Sequence, residues 1–207
     1  MSAVVPLPEI SYAGGLDLNS AIYERASVRR FERRPIGLAA LANLLWSTQG
    51  YIRSGKRAVP SAGATYPLLI YVAVAEGGVE DLSAGLYSYD HHYDADRHSL
   101  QLDHEGSVVG QLAEACYGQG CVQQAMAVIA VVGDNSRTAK RYGERAERYV
   151  ALEAGHVGQN VALTAVSLGL GTVMVGAFKD DEVAAVLRLE EGLKPYYLMP
   201  IGYPLAG

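Results

Sequence analysis

Five of the 17 basic residues in this 207-residue chain fall in one stretch of ten positions: Arg25, Arg29, Arg30, Arg33 and Arg34. The rest of the chain is acidic, with 22 Asp and Glu and a formal net charge of -5. Guanidinium groups suit bidentate contact with a phosphate, and Ser27 between Arg25 and Arg29 adds a hydroxyl donor. On a helix Arg25 and Arg29 stand i, i+4, where like charges cost about 0.2–0.5 kcal/mol unless an anion lies between them. The same residues also suit a solvated face paired with Glu24 and Glu32. A second stretch, Val59-Pro60-Ser61-Ala62-Gly63-Ala64-Thr65-Tyr66-Pro67, sets four small residues between prolines. A planar ring could lie against such a backbone and take hydrogen bonds from its N–H groups, or the stretch is simply a tight connection into the next strand.

Other chemistry-bearing residues give weaker signals. Cys116 and Cys121 match neither a zinc spacing nor a C-x-x-C redox pair, so both read as packing residues. Asp90, His91, His92, Asp94, Asp96 and His98 could ligate a metal, but a polar hairpin turn explains them better, and no metal site is expected. His156 reads as a core histidine hydrogen-bonded to Glu153, or as a proton donor if a cofactor lies nearby. No P-loop, zinc-protease helix, nucleophile elbow or dinucleotide fingerprint is present. With 14 tyrosines against 2 phenylalanines, wet aromatic positions are expected, with Tyr142 and Tyr149 as candidate pocket walls.

The elements that must position these residues follow from periodicity. Half the residues are hydrophobic and the sequence pI is about 5.5, which excludes a disordered chain and an overall affinity for nucleic acid or anionic membranes. The longest apolar run, 66–75, falls far short of the roughly 20 residues needed to span a bilayer, and a cytoplasmic location is expected. Residues 1–16 read as an extended arm and 17–207 as one domain. Helices are predicted from Asp17 towards Pro35, over 38–49, over 108–117, over 141–168 with the small-residue stripe Gly155, Gly158 and Ala162, and from 180 to 189. Strands are predicted over 67–75, 86–89, 99–102, 126–132 and 172–175, with a last one over 196–201 interrupted by Pro200. The order favours an α+β fold, a sheet flanked by helices around one long central helix.

In their order and separation these segments resemble the FMN-dependent nitroreductase superfamily. The resemblance covers Arg25-Ala26-Ser27-Val28-Arg29, the PSAGATYP segment at 60–67, Gly85–Tyr89, 149–171, Val175-Gly176-Ala177-Phe178 and Met199-Pro200-Ile201-Gly202. The PSAGA and E-x-G-H-x-x-Q-N segments resemble the branch of azoline dehydrogenases, which oxidise peptide thiazolines and oxazolines.

The resemblance implies a mixed or antiparallel sheet and an entwined homodimer with FMN at its interface. It implies that Arg25, Ser27 and Arg29 hold the phosphate and the pyrimidine side of the flavin, with Ala26 adding backbone contacts. Pro60, Ser61, Ala62 and Gly63 would approach from the other subunit, and Val175 and Gly176 would line the ring, with the Gly176 N–H near N5. The implied activity is a two-half-reaction transfer of hydride from a donor such as NAD(P)H to a small organic acceptor. Azoline oxidation of a modified peptide, and a flavin-binding module without turnover, are the alternatives. Azoline dehydrogenases carry a Lys-Tyr pair where this chain has Arg141-Tyr142. Arginine cannot serve as a base at neutral pH, so Tyr142 and Lys140 are the implied catalytic candidates.

Overall fold

The computed structural model describes residues 3–11, 13–52, 55–91 and 98–205. Its strands are β1 (Val4–Pro6), β2 (Leu68–Val74), β3 (Gly85–His91), β4 (His98–Glu105), β5 (Ala127–Asp134), β6 (Gly171–Thr172) and β7 (Leu193–Gly202). They form one sheet in the order β1-β4-β3-β2-β5-β7-β6, and every pairing is antiparallel. The helices are α1 (Leu18–Glu24), α2 (Leu38–Gln49), α3 (Val109–Ala115), α4 (Gly120–Gln123), α5 (Asn135–Tyr142), α6 (Ala146–Ser167) and α7 (Asp180–Val186).

β2 and β5 form the centre because both of their faces are apolar, and alternation sends each face to a different core. Ile70, Val72, Val74, Ile129 and Val131 pack against Leu41, Leu44 and Leu45 of α2 and Val150, Ala154, Val157, Val161 and Ala165 of α6. Ala73, Val128, Ala130 and Val132 face Leu112, Val122 and Val183 on the other side, together with Cys116 and Cys121. Both cysteines are buried and free. The arm residues Val4–Pro6 pair with β4 of the same chain.

Several boundaries differ from the sequence reading. α1 stops at Glu24, so Arg25 and Arg29 do not share a helical face. The cause is tertiary: Ser27 bridges Thr172, and the Val28 N–H donates to the Thr172 carbonyl at 2.9 Å. The predicted 141–168 helix is two helices joined by a 3₁₀ turn at Gly143–Arg145, with Gly143 at φ 54°, ψ -131°. α5 starts early because Asp134 caps it, accepting from the Ser136 N–H at 3.0 Å. Pro200 does not interrupt β7. The Leu198 N–H donates to Val175, so by alternation the Pro200 nitrogen faces the gap between Thr172 and Val175, where no ladder bond is needed. The short α4 carried no periodic signal. The turn 92–97 lies outside the described residues.

Candidate active site

Three segments carry the candidate site, and each is shaped by a contact to a different part of the chain. The first is 25–29. α1 is capped by Asp17 at its start and gives way at Arg25 to an extended backbone, φ -59°, ψ 118°. Ser27 then bridges Thr172, and within 25–29 Arg25 and Val28 are half-buried while Ala26, Ser27 and Arg29 are exposed. Val28 lies so close over Gly171 that a Cβ there would sit 2.7 Å from the Val28 Cβ. Further on, the Glu32 N–H donates to Tyr203 and the Leu205 N–H to Arg30, lacing the segment to the chain end.

Among the described residues, the side chains of Arg25, Ser27 and Arg29 make no hydrogen bond or ion pair, and the pairing with Glu24 and Glu32 does not form. Arg34 instead stacks on the Tyr203 ring at 3.9 Å. Next to Ser27, the buried Oγ1 of Thr172 finds no partner among the described residues.

The second segment is the loop 60–67. Gly63, Ala64 and Tyr66 all have positive φ, a conformation that only glycine adopts without cost. Ser61 organises it: its carbonyl accepts from the Ala64 N–H at 3.1 Å and its Oγ from the Tyr66 N–H at 2.9 Å. α5 clamps it from outside. Thr65 Oγ1 lies 2.9 Å from Thr138 Oγ1, Arg137 donates to the Tyr66 carbonyl at 3.2 Å, and Arg141 donates to the Gly63 carbonyl at 3.3 Å. A Cβ at Gly63 would lie 2.8 Å from the Tyr142 hydroxyl, so Tyr142 reaches the loop. Its ring meets that of Tyr149 edge-on at 4.9 Å between centroids. Lys140 is exposed and makes no hydrogen bond or ion pair among the described residues. The amides of Ser61, Ala62 and Gly63 likewise donate to nothing there. Pro60 and Ser61 line a cleft of about 500 Å³ with Lys56, Arg57 and Tyr66.

The third segment is 173–176. Val175 is buried and exchanges two backbone hydrogen bonds with Leu198, at 2.9 and 3.0 Å. Met174 packs over Gly158 of α6, where a Cβ would lie 2.8 Å from its sulfur, so part of the small-residue stripe serves this contact. Gly176 follows as an exposed residue whose N–H has no partner among the described residues.

No hydrogen bond, ion pair or bridge joins 25–29 to 60–67 among the described residues. The loop packs against α5 and α6, while 25–29 packs at Thr172, beyond the C-terminal end of α6. His156 is exposed rather than a core histidine, and it does not bond Glu153. Glu153 is the buried acid, and Gln49 Nε2 donates to it at 3.4 Å. Burial pushes its carboxyl above the usual range, against the hydrogen bond from Gln49 and the charge of Arg57. Arg57, Gln49, Thr138 and Thr172 carried no motif of their own. The only sequence signal for Arg57 is its place three residues before Pro60.

The sheet, the long helix and the cationic segment define a class of protein. Residues 22–203 match the Nitroreductase family, and the chain belongs to that family of oxidoreductases. A protein of Methanocaldococcus jannaschii that carries the name of a candidate nitroreductase, MJ1384, is 40% identical over 200 residues, covering 96% of this chain and 95% of that one. A crystal structure described as a candidate nitroreductase from Ralstonia eutropha JMP134 superposes with TM-score 0.83 at 28% identity, covering 99% of this chain and 90% of that one. The Escherichia coli microcin synthetase McbBCD complex, solved with truncated pro-MccB17, includes a chain with TM-score 0.73 at 18% identity, covering 96% of this chain and 77% of that one. At that identity the likeness is one of fold.

Proposed function

We propose that the chain is an FMN-dependent oxidoreductase that acts as a homodimer and passes a hydride from NAD(P)H to a small organic acceptor. The observation that carries this reading is the set of unpaired donors on 25–29, beside the orphaned Thr172 hydroxyl. Clustered guanidiniums with no carboxylate partner in an acidic chain call for an anion, and a phosphate monoester suits their fork geometry. The free amides of Ser61, Ala62, Gly63 and Gly176 fit the polar edge of a flat heterocycle, and the missing side chains leave room for its face. These donor sets fit FMN.

In this reading Arg25, Ser27 and Arg29 bind the phosphate, with Ala26 adding backbone contact. Pro60, Ser61, Ala62 and Gly63 of a second copy lie against the ring, since the two donor sets make no contact within one chain. Val175 supplies an apolar wall and the Gly176 N–H is the donor at the reactive edge. When bound, FMN supplies the hydride-accepting and hydride-donating chemistry. The chain orients it, and Tyr142, held against Gly63, is the proton donor to the acceptor. Exposed Leu18, Ile22 and Tyr23 on α1, with Leu152 on α6, give the second copy apolar surface to cover. Arg141 donates to Gly63 and does not deprotonate, which favours a small acceptor over azoline oxidation. Lys140 is the alternative base only if it moves to the ring.

Steady-state oxidation of NADH and NADPH with quinone and nitroaromatic acceptors tests the proposal. Turnover that is lost in Arg25→Ala/Arg29→Ala together with the bound flavin is expected. A wild-type chain that binds FMN but never reoxidises it with any organic acceptor would refute the activity.

A further inference from the structure

The backbone that follows α2 brings two cations to the edge of the 60–66 loop. Tyr51 bridges Arg57, the Ile52 N–H donates to the Lys56 carbonyl at 2.7 Å, and the Ala58 N–H donates to the Gly50 carbonyl at 2.8 Å. Lys56 and Arg57 therefore stand on hydrogen-bonded backbone. Both line the cleft of about 500 Å³, whose walls include Ile52, Pro60, Ala64 and Tyr66. No Asp or Glu lines it among the described residues. An apolar wall with cations at one end suits a flat organic molecule that carries a negative group.

Arg57 is half-buried, and three contacts hold its side chain. Its guanidinium carbon lies 4.6 Å from the centroid of the Tyr66 ring and 5.4 Å from that of Tyr51, and Nη1 donates to Gln49 Oε1 at 3.3 Å. Its remaining donors reach no acceptor among the described residues, and Nε is buried without a partner. Glu153 bonds Gln49 instead, and no ion pair joins it to Arg57. Stacking on rings engages the face of a guanidinium, whereas its donors lie along the edge, the part that forks onto a carboxylate or phosphate. Lys56 is exposed and unpaired among the described residues, a second positive charge on a flexible stem.

We propose that this cleft is a substrate subsite for an oxyanion: Arg57 and Lys56 hold the carboxylate or phosphate of a flat aromatic reactant whose body lies along Pro60 and Tyr66. The inference deepens the function proposed above and rests on it for the redox step, but the oxyanion site is a property of the chain alone. Because Pro60 and Ser61 also lie against the flavin in that reading, a reactant anchored in the cleft extends towards the ring. Two reactants present this chemistry, an acceptor with an acidic substituent and the phosphate of the hydride donor. Position 56 is exposed, so Lys56→Glu reverses one charge without touching the core, and Arg57→Gln removes the other.

Steady-state kinetics of the flavin-loaded protein separate the two sources. One arm compares 4-nitrobenzoate with the neutral 4-nitrobenzyl alcohol as acceptor; the other compares reduced nicotinamide mononucleotide with 1-benzyl-1,4-dihydronicotinamide, which has no phosphate, as donor. In both variants kcat/KM for the anionic member of one pair is expected to fall by about tenfold or more, through KM, while its neutral partner stays within about threefold of wild type. The pair that responds names the reactant the cleft serves. Should Arg57→Gln fail to fold, Lys56→Glu alone decides. Equal losses for charged and neutral members, or no loss in either pair, would overturn the proposal. So would variants that bind FMN more weakly but riboflavin as before, since the cleft would then hold the cofactor's own phosphate. A wild-type chain that binds no FMN overturns the proposed function instead. Saturation-transfer NMR of 4-nitrobenzoate and of reduced nicotinamide mononucleotide with the FMN-free chain then decides the site: a signal from either that is lost in Lys56→Glu supports it, and equal signals or none in wild type overturn it.

Discussion

Substituting Gly171 by alanine places one methyl group where the cationic segment meets the sheet. The new Cβ would lie 2.7 Å from the Val28 Cβ, 2.7 Å from Cγ2 and 2.8 Å from Cγ1. Ordinary carbon contact needs about 3.5 Å, so Val28 must retreat by roughly 0.8 Å. A β-branched side chain has little rotamer freedom with which to retreat, so the backbone must move instead. That movement stretches the 2.9 Å bond from the Val28 N–H to Thr172 and shifts Ser27 and Arg29 with it. Overpacking of this kind costs about 1–3 kcal/mol in folding stability. Losing the aim of one charge-assisted bond to phosphate costs a further 1.5–3 kcal/mol in FMN binding, which is about 10- to 150-fold in Kd. Urea denaturation of the FMN-free chain measures the first quantity and flavin fluorescence quenching the second. A Gly171→Ala protein with wild-type stability and wild-type affinity would refute the claim that the close approach of Val28 to β6 positions the phosphate donors.

Thr138→Val removes the buried hydroxyl that meets Thr65, which itself donates to the Ala62 carbonyl; urea midpoints should fall by an amount equivalent to about 1 kcal/mol. Tyr142→Phe should leave the Kd for FMN unchanged and lower kcat for acceptors that take up a proton, as read from steady-state kinetics. His98 is buried and neutral, donating from Nε2 to the Pro8 carbonyl at 3.0 Å while Nδ1 accepts from Tyr89. Burial holds its pKa below the ordinary 6.5, against the opposing bond to Pro8. The unfolded chain therefore gains a proton at 6.5 while the folded chain does not, so stability is lost as pH falls below 6.5 and the loss levels off below the folded pKa. Exchange protection of the Leu7 amide, which donates to the His98 carbonyl, should drop across that window. Burial, aided by Cys121, pushes the Cys116 thiol up to about 11, so thiol reagents at neutral pH should label it no faster than the protein unfolds.

How much of this was legible depends on how local the cause is. α2 follows the predicted 38–49, and the strand reading of 67–75 became β2, because helical spacing of leucines and a short continuous run of β-branched and aromatic residues are local signals. The end of α1 was not legible, since what stops it is a bond to Thr172, far along the chain. Without that contact nothing in ERASVRR forbids another turn. The break at Gly143 failed for the opposite reason: the charged stretch around it is as good a helix former as its neighbours, and the turn is set by one glycine dihedral. The candidate segments at 25–29 and 60–63 were visible as a cluster of charge and a run of small side chains, whereas 175–176 was implied only by the family resemblance. The buried status of Glu153 was readable in principle, because 150, 153, 154 and 157 fall on one helical stripe and 156 does not. What escaped were Arg57, Gln49 and Thr172, whose significance lies in which polar atoms face each other.

FMN and riboflavin differ only in the phosphate, so a paired fluorescence titration of the wild-type chain with both isolates the role given to Arg25, Ser27 and Arg29. Two charge-assisted contacts at about 1.5 kcal/mol or more each predict a preference for FMN of about 100-fold or greater. Equal affinity for the two, or no binding of either, would contradict the account.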